Sequence, residues 1–153
     1  SVRVVGQPAR SRDLERGRLD LRYRFVRVRR RRKSARGSRK HYLAHKETAR
    51  ALVLQKLEQF NQYYDFAWGK IAIRNQKTRW GSCSKNGNLN FHYRIIFLPE
   101  HLQDYIIVHE LCHLKMFNHS KEFWDLVAEK VPHHHAHRHD LRKFSTRGTS
   151  GLY

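Results

Sequence analysis

The segment that is most informative about the fold is residues 99–120, PEHLQDYIIVHELCHLKMFNHS. At its centre lies the run His109-Glu110-Leu111-Cys112-His113. Residues four apart share one face of an α-helix, so His109 and His113 can present two imidazoles to one tetrahedral Zn²⁺. In this H-E-x-x-H arrangement Glu110 lies about 100° around the helix from His109, within reach of a water on the metal. The sequence therefore predicts a zinc-binding helix in which Glu110 is the general base.

The flanking residues favour a helix at this place. Pro99 suits a first helical turn, and Glu100 and Asp104 favour the positive end of the helix dipole. An apolar stripe that contains both histidines is formed by Leu102, Tyr105, Ile106, Cys112 and Met116. The alternative is a pair of hydrogen-bonded core histidines, but this helix and Glu110 favour a metal site.

A third metal ligand has to come from another segment. Asn118 permits a sharp helix stop, and Ser120 can cap a new helix that runs to Pro132. This bend brings His119, six residues past His113, towards the other two histidines. His119 is the first candidate and Glu122 the second; the other carboxylate alternatives are Asp125 and Glu129.

The segments ahead of the motif predict a helix and a small sheet. Apolar residues at intervals of three and four predict a helix over residues 45–64. Ile71 and Ile73 predict a short strand, and residues 79–84 (RWGSCS) a tight polar turn in which Trp80 packs. Asn86-Gly87 predicts a hairpin turn, after which residues 88–91 return antiparallel.

Charge is the strongest compositional feature. The 153 residues contain 32 Lys and Arg against 13 Asp and Glu, which gives a net charge of +19. Such a charge is typical of a protein with a polyanionic partner, either nucleic acid or an acidic membrane surface. A basic surface that is merely solvated is the alternative, and the net charge does not decide between the two. Residues 1–17 resemble a flexible basic arm, and residues 19–25 alternate like a strand. Residues 29–40 predict a solvated cationic loop with the capacity to bind phosphates.

Cysteine use and hydropathy indicate the compartment. Cys83 and Cys112 are too few for a framework of disulfides, so we expect two free or buried thiols in a reducing compartment. No apolar run reaches the length of a membrane span, and no secretory apolar region is present. We therefore expect a cytoplasmic protein, or a nuclear one if its source has a nucleus, with no membrane partner.

A second group of histidines occupies residues 133–139, HHHAHRH. Clustered histidines chelate adventitious metal, yet without fixed geometry they more often form a basic, titrating helix surface. The surface interpretation is the one we adopt for this cluster.

Three segments, IRNQKTRWGSC, GNLNFHYRIIFLP and YIIVHELCHLKMFNHSKEFWDLV, resemble the YgjP-like branch of the SprT-like zinc metallopeptidases. The resemblance implies an α+β fold, a small zincin-like metallopeptidase core with a short antiparallel sheet, an H-E-x-x-H helix and flanking helices. It implies Zn²⁺ on His109, His113 and His119, with Glu110 catalytic. The resemblance to related zinc peptidases also implies that an edge strand within residues 88–98 holds a peptide substrate by strand addition.

The predicted organisation is a basic N-terminal arm with a possible strand (residues 1–45), a zinc metallopeptidase core (46–144) and a C-terminal tail (145–153). The predicted function is zinc-dependent hydrolysis of peptide bonds, most simply by an endopeptidase, with protein or peptide substrates and possible DNA or RNA contact through the basic surface. The alternative is a basic nucleic-acid-binding module with a structural zinc, to which Cys83 supplies the fourth ligand.

Overall fold

The structure is a computed structural model that describes the backbone of residues 35–144 and the side chains of residues 38–144. This part of the chain combines helices with a three-stranded sheet, which confirms the predicted α+β class. In chain order the elements are α1 (Ala35–Tyr64), β1 (Ile71–Arg74), β2 (Gly81–Cys83), β3 (Leu89–His92), a 3₁₀ helix (Tyr93–Phe97), α2 (Glu100–Cys112), α3 (Lys121–Ala128) and α4 (His134–Leu141).

Several sequence predictions fall outside the described residues. The strand expected at residues 19–25 and the tail at residues 145–153 lie there, together with most of the basic arm. The three-part organisation of the chain stays a prediction.

Helix α1 begins ten residues before the predicted start at residue 45. The last part of the cationic run, residues 35–40, is therefore helical, and the loop predicted there is wrong. Arg and Lys are good helix formers, and packing further along the helix supports the extension. The buried stripe that anchors α1 consists of Ala49, Val53, Leu57 and Tyr64.

The sheet has the strand order β1-β3-β2 and is mixed. The hairpin predicted at Asn86-Gly87 is confirmed, since β2 and β3 pair antiparallel and Gly87 has a φ of 75°. The short sheet, predicted as antiparallel, is antiparallel only between β2 and β3, because β1 runs parallel to β3. The cause lies in residues 81–83, which form strand β2 where a turn was predicted and so reverse the chain once more between β1 and β3.

This order corrects the predicted edge strand. β3 is central, so residues 89–92 cannot accept an added strand, and the edges are β1 and β2. On β1, the Tyr42 hydroxyl donates to the Ile73 carbonyl at 2.8 Å and Arg50 donates to the Ile71 carbonyl at 3.1 Å. Side chains of α1 thus occupy the outer carbonyls of β1, while β2 is the edge beside α2.

Helix α2 lies at the centre of the core. Residues 105–112 are all buried, because α1, β2, α3 and α4 each pack against this helix. Lys56 of α1 is 6% exposed and forms ion pairs with Asp104 and Glu100 at the start of α2. α2 ends at Cys112, four residues before the predicted apolar stripe ends at Met116.

Two further expectations concern the cysteines and membrane-spanning helices. Cys83 and Cys112 are free thiols, as predicted. Within residues 35–144, none of the helices combines the length and the apolar character that crossing a membrane requires.

Candidate metal centre

Three histidines converge where α2 ends and the chain bends into α3. His109 lies in the last turn of α2, and His113 caps its C-terminus. Ser120 caps α3, as predicted, by accepting a hydrogen bond from the backbone N–H of Phe123, and it holds the preceding residue, His119, at the bend. The three Nε2 atoms lie 3.1 Å apart in every pair. Among the described residues, this is the group of three or more donors with a separation short enough to hold a metal ion.

A hydrogen bond fixes the orientation of one imidazole. Nδ1 of His113 lies 2.9 Å from the carbonyl oxygen of Met116. A carbonyl oxygen only accepts, so Nδ1 carries the proton and Nε2 keeps its lone pair for the cluster. The short turn after α2 thus sets the tautomer that a metal ligand needs.

Desolvation favours the neutral form of all three imidazoles, of which His109 is buried and His119 is exposed. Desolvation, followed by the nearby His113 and His119, lowers the pKa of His109 to about 2. Desolvation is also the main cause that lowers the pKa of His113 and of His119. All three side chains therefore offer lone pairs, not charges, at neutral pH.

Aromatic rings support the cluster from α3. Phe123 stacks on His113 with ring centroids 4.5 Å apart, and Trp124 stacks on His119 at 5.6 Å. Trp124 also stacks on His134 of α4 at 5.0 Å. The helix predicted after Ser120 contains Phe123 and Trp124, but the sequence analysis assigned them no contact with the histidines. Their position one turn after the Ser120 cap was the signal that they face His113 and His119.

Glu110 is buried at the interface between α2 and β2. It is 1% exposed, and a Cβ placed on Gly81 would lie 2.7 Å from both its Cγ and its Oε1. Only a glycine at position 81 lets the strand approach the carboxylate this closely. Sequence reasoning predicted residues 79–84 as a tight polar turn and missed this contact, for which Gly81 beside Trp80 was the available signal.

The alternative ligands lie elsewhere. Asp125 pairs with Lys121 at 2.7 Å, and Glu129 accepts a hydrogen bond from the Tyr63 hydroxyl at 2.8 Å. Glu122 is exposed. Cys83 does not join the group of described residues that can hold a metal, and desolvation raises the pKa of its thiol to about 11, which disfavours the thiolate.

A family model, described as YgjP-like, metallopeptidase domain, matches residues 7–144. The chain belongs to the YgjP-like metallopeptidase family. The resemblance read from the sequence is thereby confirmed, and metallopeptidase activity is the function that this family supports. No curated protein matches the chain.

Two solved structures are similar to this YgjP-like chain. The crystal structure of the metallopeptidase zymogen of Pyrococcus abyssi abylysin is 26% identical, with a TM-score of 0.57, and the match covers 63% of this chain and 98% of abylysin. The crystal structure of the metallopeptidase zymogen of Methanocaldococcus jannaschii jannalysin is 24% identical, with a TM-score of 0.46, and the match covers 51% of this chain and 80% of the jannalysin chain.

Proposed function

We propose that this protein is a zinc-dependent endopeptidase in which His109, His113 and His119 bind the metal and Glu110 is the general base. The observation that carries the proposal is the mutual 3.1 Å spacing of the three Nε2 atoms. Zinc–nitrogen bonds of about 2.0–2.1 Å in a tetrahedron separate the ligand atoms by about 3.3 Å. The spacing fits such a site, and three neutral imidazoles are a donor set that zinc favours.

The donor count supports a catalytic over a structural metal. Structural zinc sites use four protein ligands, whereas catalytic sites use three and leave the fourth position for water or substrate. Cys83, the fourth ligand of the alternative, lies outside the described group of three histidines. Its thiol is directed to the Ser84 carbonyl at 3.5 Å. The three-histidine set therefore favours a peptidase.

In this proposal Glu110 moves the proton. Zinc, when bound, polarises the substrate carbonyl and lowers the pKa of a coordinated water to about 7. Glu110 accepts the proton that the attacking water loses and donates it to the nitrogen of the leaving amine. Gly81 packs against the side chain of Glu110 and so limits the positions that the carboxylate can adopt.

We propose that the substrate pairs with β2. This strand is the sheet edge beside α2, and its first residue, Gly81, contacts Glu110. An extended peptide added to this edge would continue past the carboxylate on both sides of the cleaved bond, which suits an endopeptidase. The outer carbonyls of β1 already accept bonds from Tyr42 and Arg50, so β2 replaces the predicted strand at residues 88–98 in this role.

We also propose that the substrates include proteins bound to nucleic acid. The support is electrostatic, since a net charge of +19 attracts a polyanion and holds it by release of counterions.

The decisive experiment is Glu110→Gln. Glutamine keeps the size of glutamate but cannot accept the proton, so hydrolysis should fall by about 10² or more while zinc content stays equal. The exposed Glu122→Gln of α3 is the matched control and should retain activity. Unfolded basic proteins serve as substrates, with and without single-stranded DNA, at matched zinc content.

Two outcomes of this assay contradict the proposal. Equal cleavage by wild type and Glu110→Gln would assign the activity to a contaminating protease. Absence of cleavage in every condition, with zinc retained, would favour the nucleic-acid-binding module with a structural zinc.

A further inference from the structure

A groove of about 520 Å³ opens on the face formed by α1, the 3₁₀ helix and the end of α4. Three aromatic rings and three basic side chains line it: His41, Trp80, Arg94, Phe97, Lys143 and Phe144. None of the six is an acid. The groove is separate from the histidine cluster, although Trp80 precedes Gly81, which contacts Glu110.

Phe97 is a large apolar side chain held in an exposed position. It is 53% exposed, yet its ring packs on His45 at 5.1 Å and on His41 at 5.7 Å. Phe144, at another side of the groove, is 39% exposed. A ring that is fixed on one side and open on the other is a preformed surface on which a planar group can stack.

Arg94 lines the same groove as Phe97, and its side chain is held by a hydrogen bond. Its Nε donates to the Tyr93 hydroxyl at 3.0 Å, and Tyr93 is fully buried. The same hydroxyl is 2.9 Å from Nδ1 of His41. Within the described part of the chain, no carboxylate pairs with Arg94, so its charge is available to an anion. Lys143 adds a second charge, which Asp140 partly offsets at 2.7 Å.

We propose that this groove binds single-stranded nucleic acid, with a base stacked on Phe97 and the adjoining phosphates on Arg94 and Lys143. Alternating stacking surfaces and cations are what sequence-tolerant single-strand binding requires. The bases of a duplex stack on one another and expose no face to Phe97, so a duplex does not fit. The net charge of +19 favours this polyanion over an apolar peptide, the other ligand of similar shape.

This inference rests on the proposed association with nucleic acid and not on the peptidase activity. Its test is fluorescence anisotropy of a labelled oligothymidine of about 12 nucleotides with the full-length, zinc-loaded protein, repeated over a series of salt concentrations. Phe97→Ala should weaken binding about tenfold, while Phe97→Trp should retain it. Phe117→Ala is the matched control, since Phe117 is also 53% exposed and does not line the groove.

A second pair of variants tests the phosphate contact. Lys143 and Lys121 each pair at 2.7 Å with an aspartate about one turn away. Lys143→Ala should reduce the slope of log affinity against log salt by about 0.7, and Lys121→Ala should leave it unchanged. A hairpin duplex of matched length should compete poorly with the oligothymidine.

The outcomes separate the groove from the wider proposal. If Phe97→Ala binds as well as Phe117→Ala, while replacement of Arg29, Arg30, Arg31 and Arg32 by Ala abolishes binding, the association stands and the groove is wrong. If wild type binds no oligonucleotide even at low salt, both are wrong and the peptidase proposal is untouched. If Phe97→Ala instead raises KM for peptides with oligonucleotide binding unchanged, the groove is a peptide subsite.

Discussion

The chain has two groups of histidines, and the structure gives them different environments. In the first group, His109, His113 and His119 come from the end of one helix and the bend before the next, and their Nε2 atoms meet within 3.1 Å. In the second group, at residues 133–139, the histidines radiate from the single short helix α4 and the residue before it. Among the described residues, convergence from two segments brings three histidine nitrogens close enough to hold one metal ion, whereas the density of histidines along α4 does not.

The two groups are nevertheless connected. Trp124 stacks on a histidine of each group: on His119 at 5.6 Å with 20° between the ring planes, and on His134 at 5.0 Å with 12°. Arg138 of α4 lies 5.6 Å from the same indole ring. His133, His135 and His139 are exposed, which agrees with the surface location predicted for this cluster, whereas His134 is buried.

The largest effect is expected from removing a convergent histidine. His119→Ala should reduce zinc affinity by about 10³-fold or more, because even the loss of a partner that only supports a ligand costs about 10–100-fold. His139→Ala, an exposed residue of the second group, is the control and should leave this site unchanged. Competition with a chromophoric chelator gives both affinities, after weaker zinc on residues 133–139 is titrated separately. Equal affinity in the two variants would refute the third-ligand assignment.

A buried histidine in neither group separates the effect of burial from that of metal. His92 is fully buried, and desolvation lowers its pKa to about 4, against about 6.5 in the unfolded chain. Between these values the unfolded state binds more protons. The free energy of unfolding should therefore fall by about 3 kcal/mol as the pH drops from 6.5 to 4.

The variant that checks this is His92→Asn. Asparagine keeps a side-chain acceptor for the backbone N–H of Arg94, which His92 accepts at 3.0 Å, but does not titrate in this range. Urea unfolding of metal-free protein at several pH values should show a shallower loss of stability in the variant. Parallel curves for the two proteins would show that His92 does not contribute.

The smallest effect concerns the connection between the groups. His134→Ala should weaken zinc binding about fivefold, since Trp124 would lose the ring that holds it against His119. His139→Ala removes the same side chain from an exposed position of α4 and should have no effect, whereas His135 is unsuitable as a control because its ring also stacks on Trp124 at 6.3 Å. Zinc dissociation rates at fixed pH measure the difference. If both variants bind zinc as wild type does, Trp124 alone positions His119.

Local patterns explain which parts of the structure were predictable. The helix around His109, the Ser120 cap and the Asn86-Gly87 turn each follow from a few adjacent residues, and all three were predicted correctly. The bend also placed His119 near His113, because a short connection between two helices limits where an intervening residue can lie. The early end of α2 at Cys112 was not predictable from an apolar stripe that continues to Met116.

The errors arose where tertiary contacts decide. Residues 81–83 contain a glycine and a serine, which favour a turn, but pairing with β3 makes them a strand. That single change reverses the chain direction, makes β3 central and transfers the edge to β2. The contact of Gly81 with Glu110 and the stack of Trp124 on His134 join segments far apart in sequence, so no local pattern contains them.

The contact of Gly81 with Glu110 has a consequence for how this chain can change. Gly81 belongs to the strand that we propose aligns the substrate, and it packs against the carboxylate that we propose carries the proton. A substitution at position 81 should therefore alter both the strand and the carboxylate. Alanine, the smallest step away from glycine, would already place an atom 2.7 Å from the carboxylate. We therefore expect substitutions that alter specificity without loss of activity at the neighbours of this strand and not at Gly81.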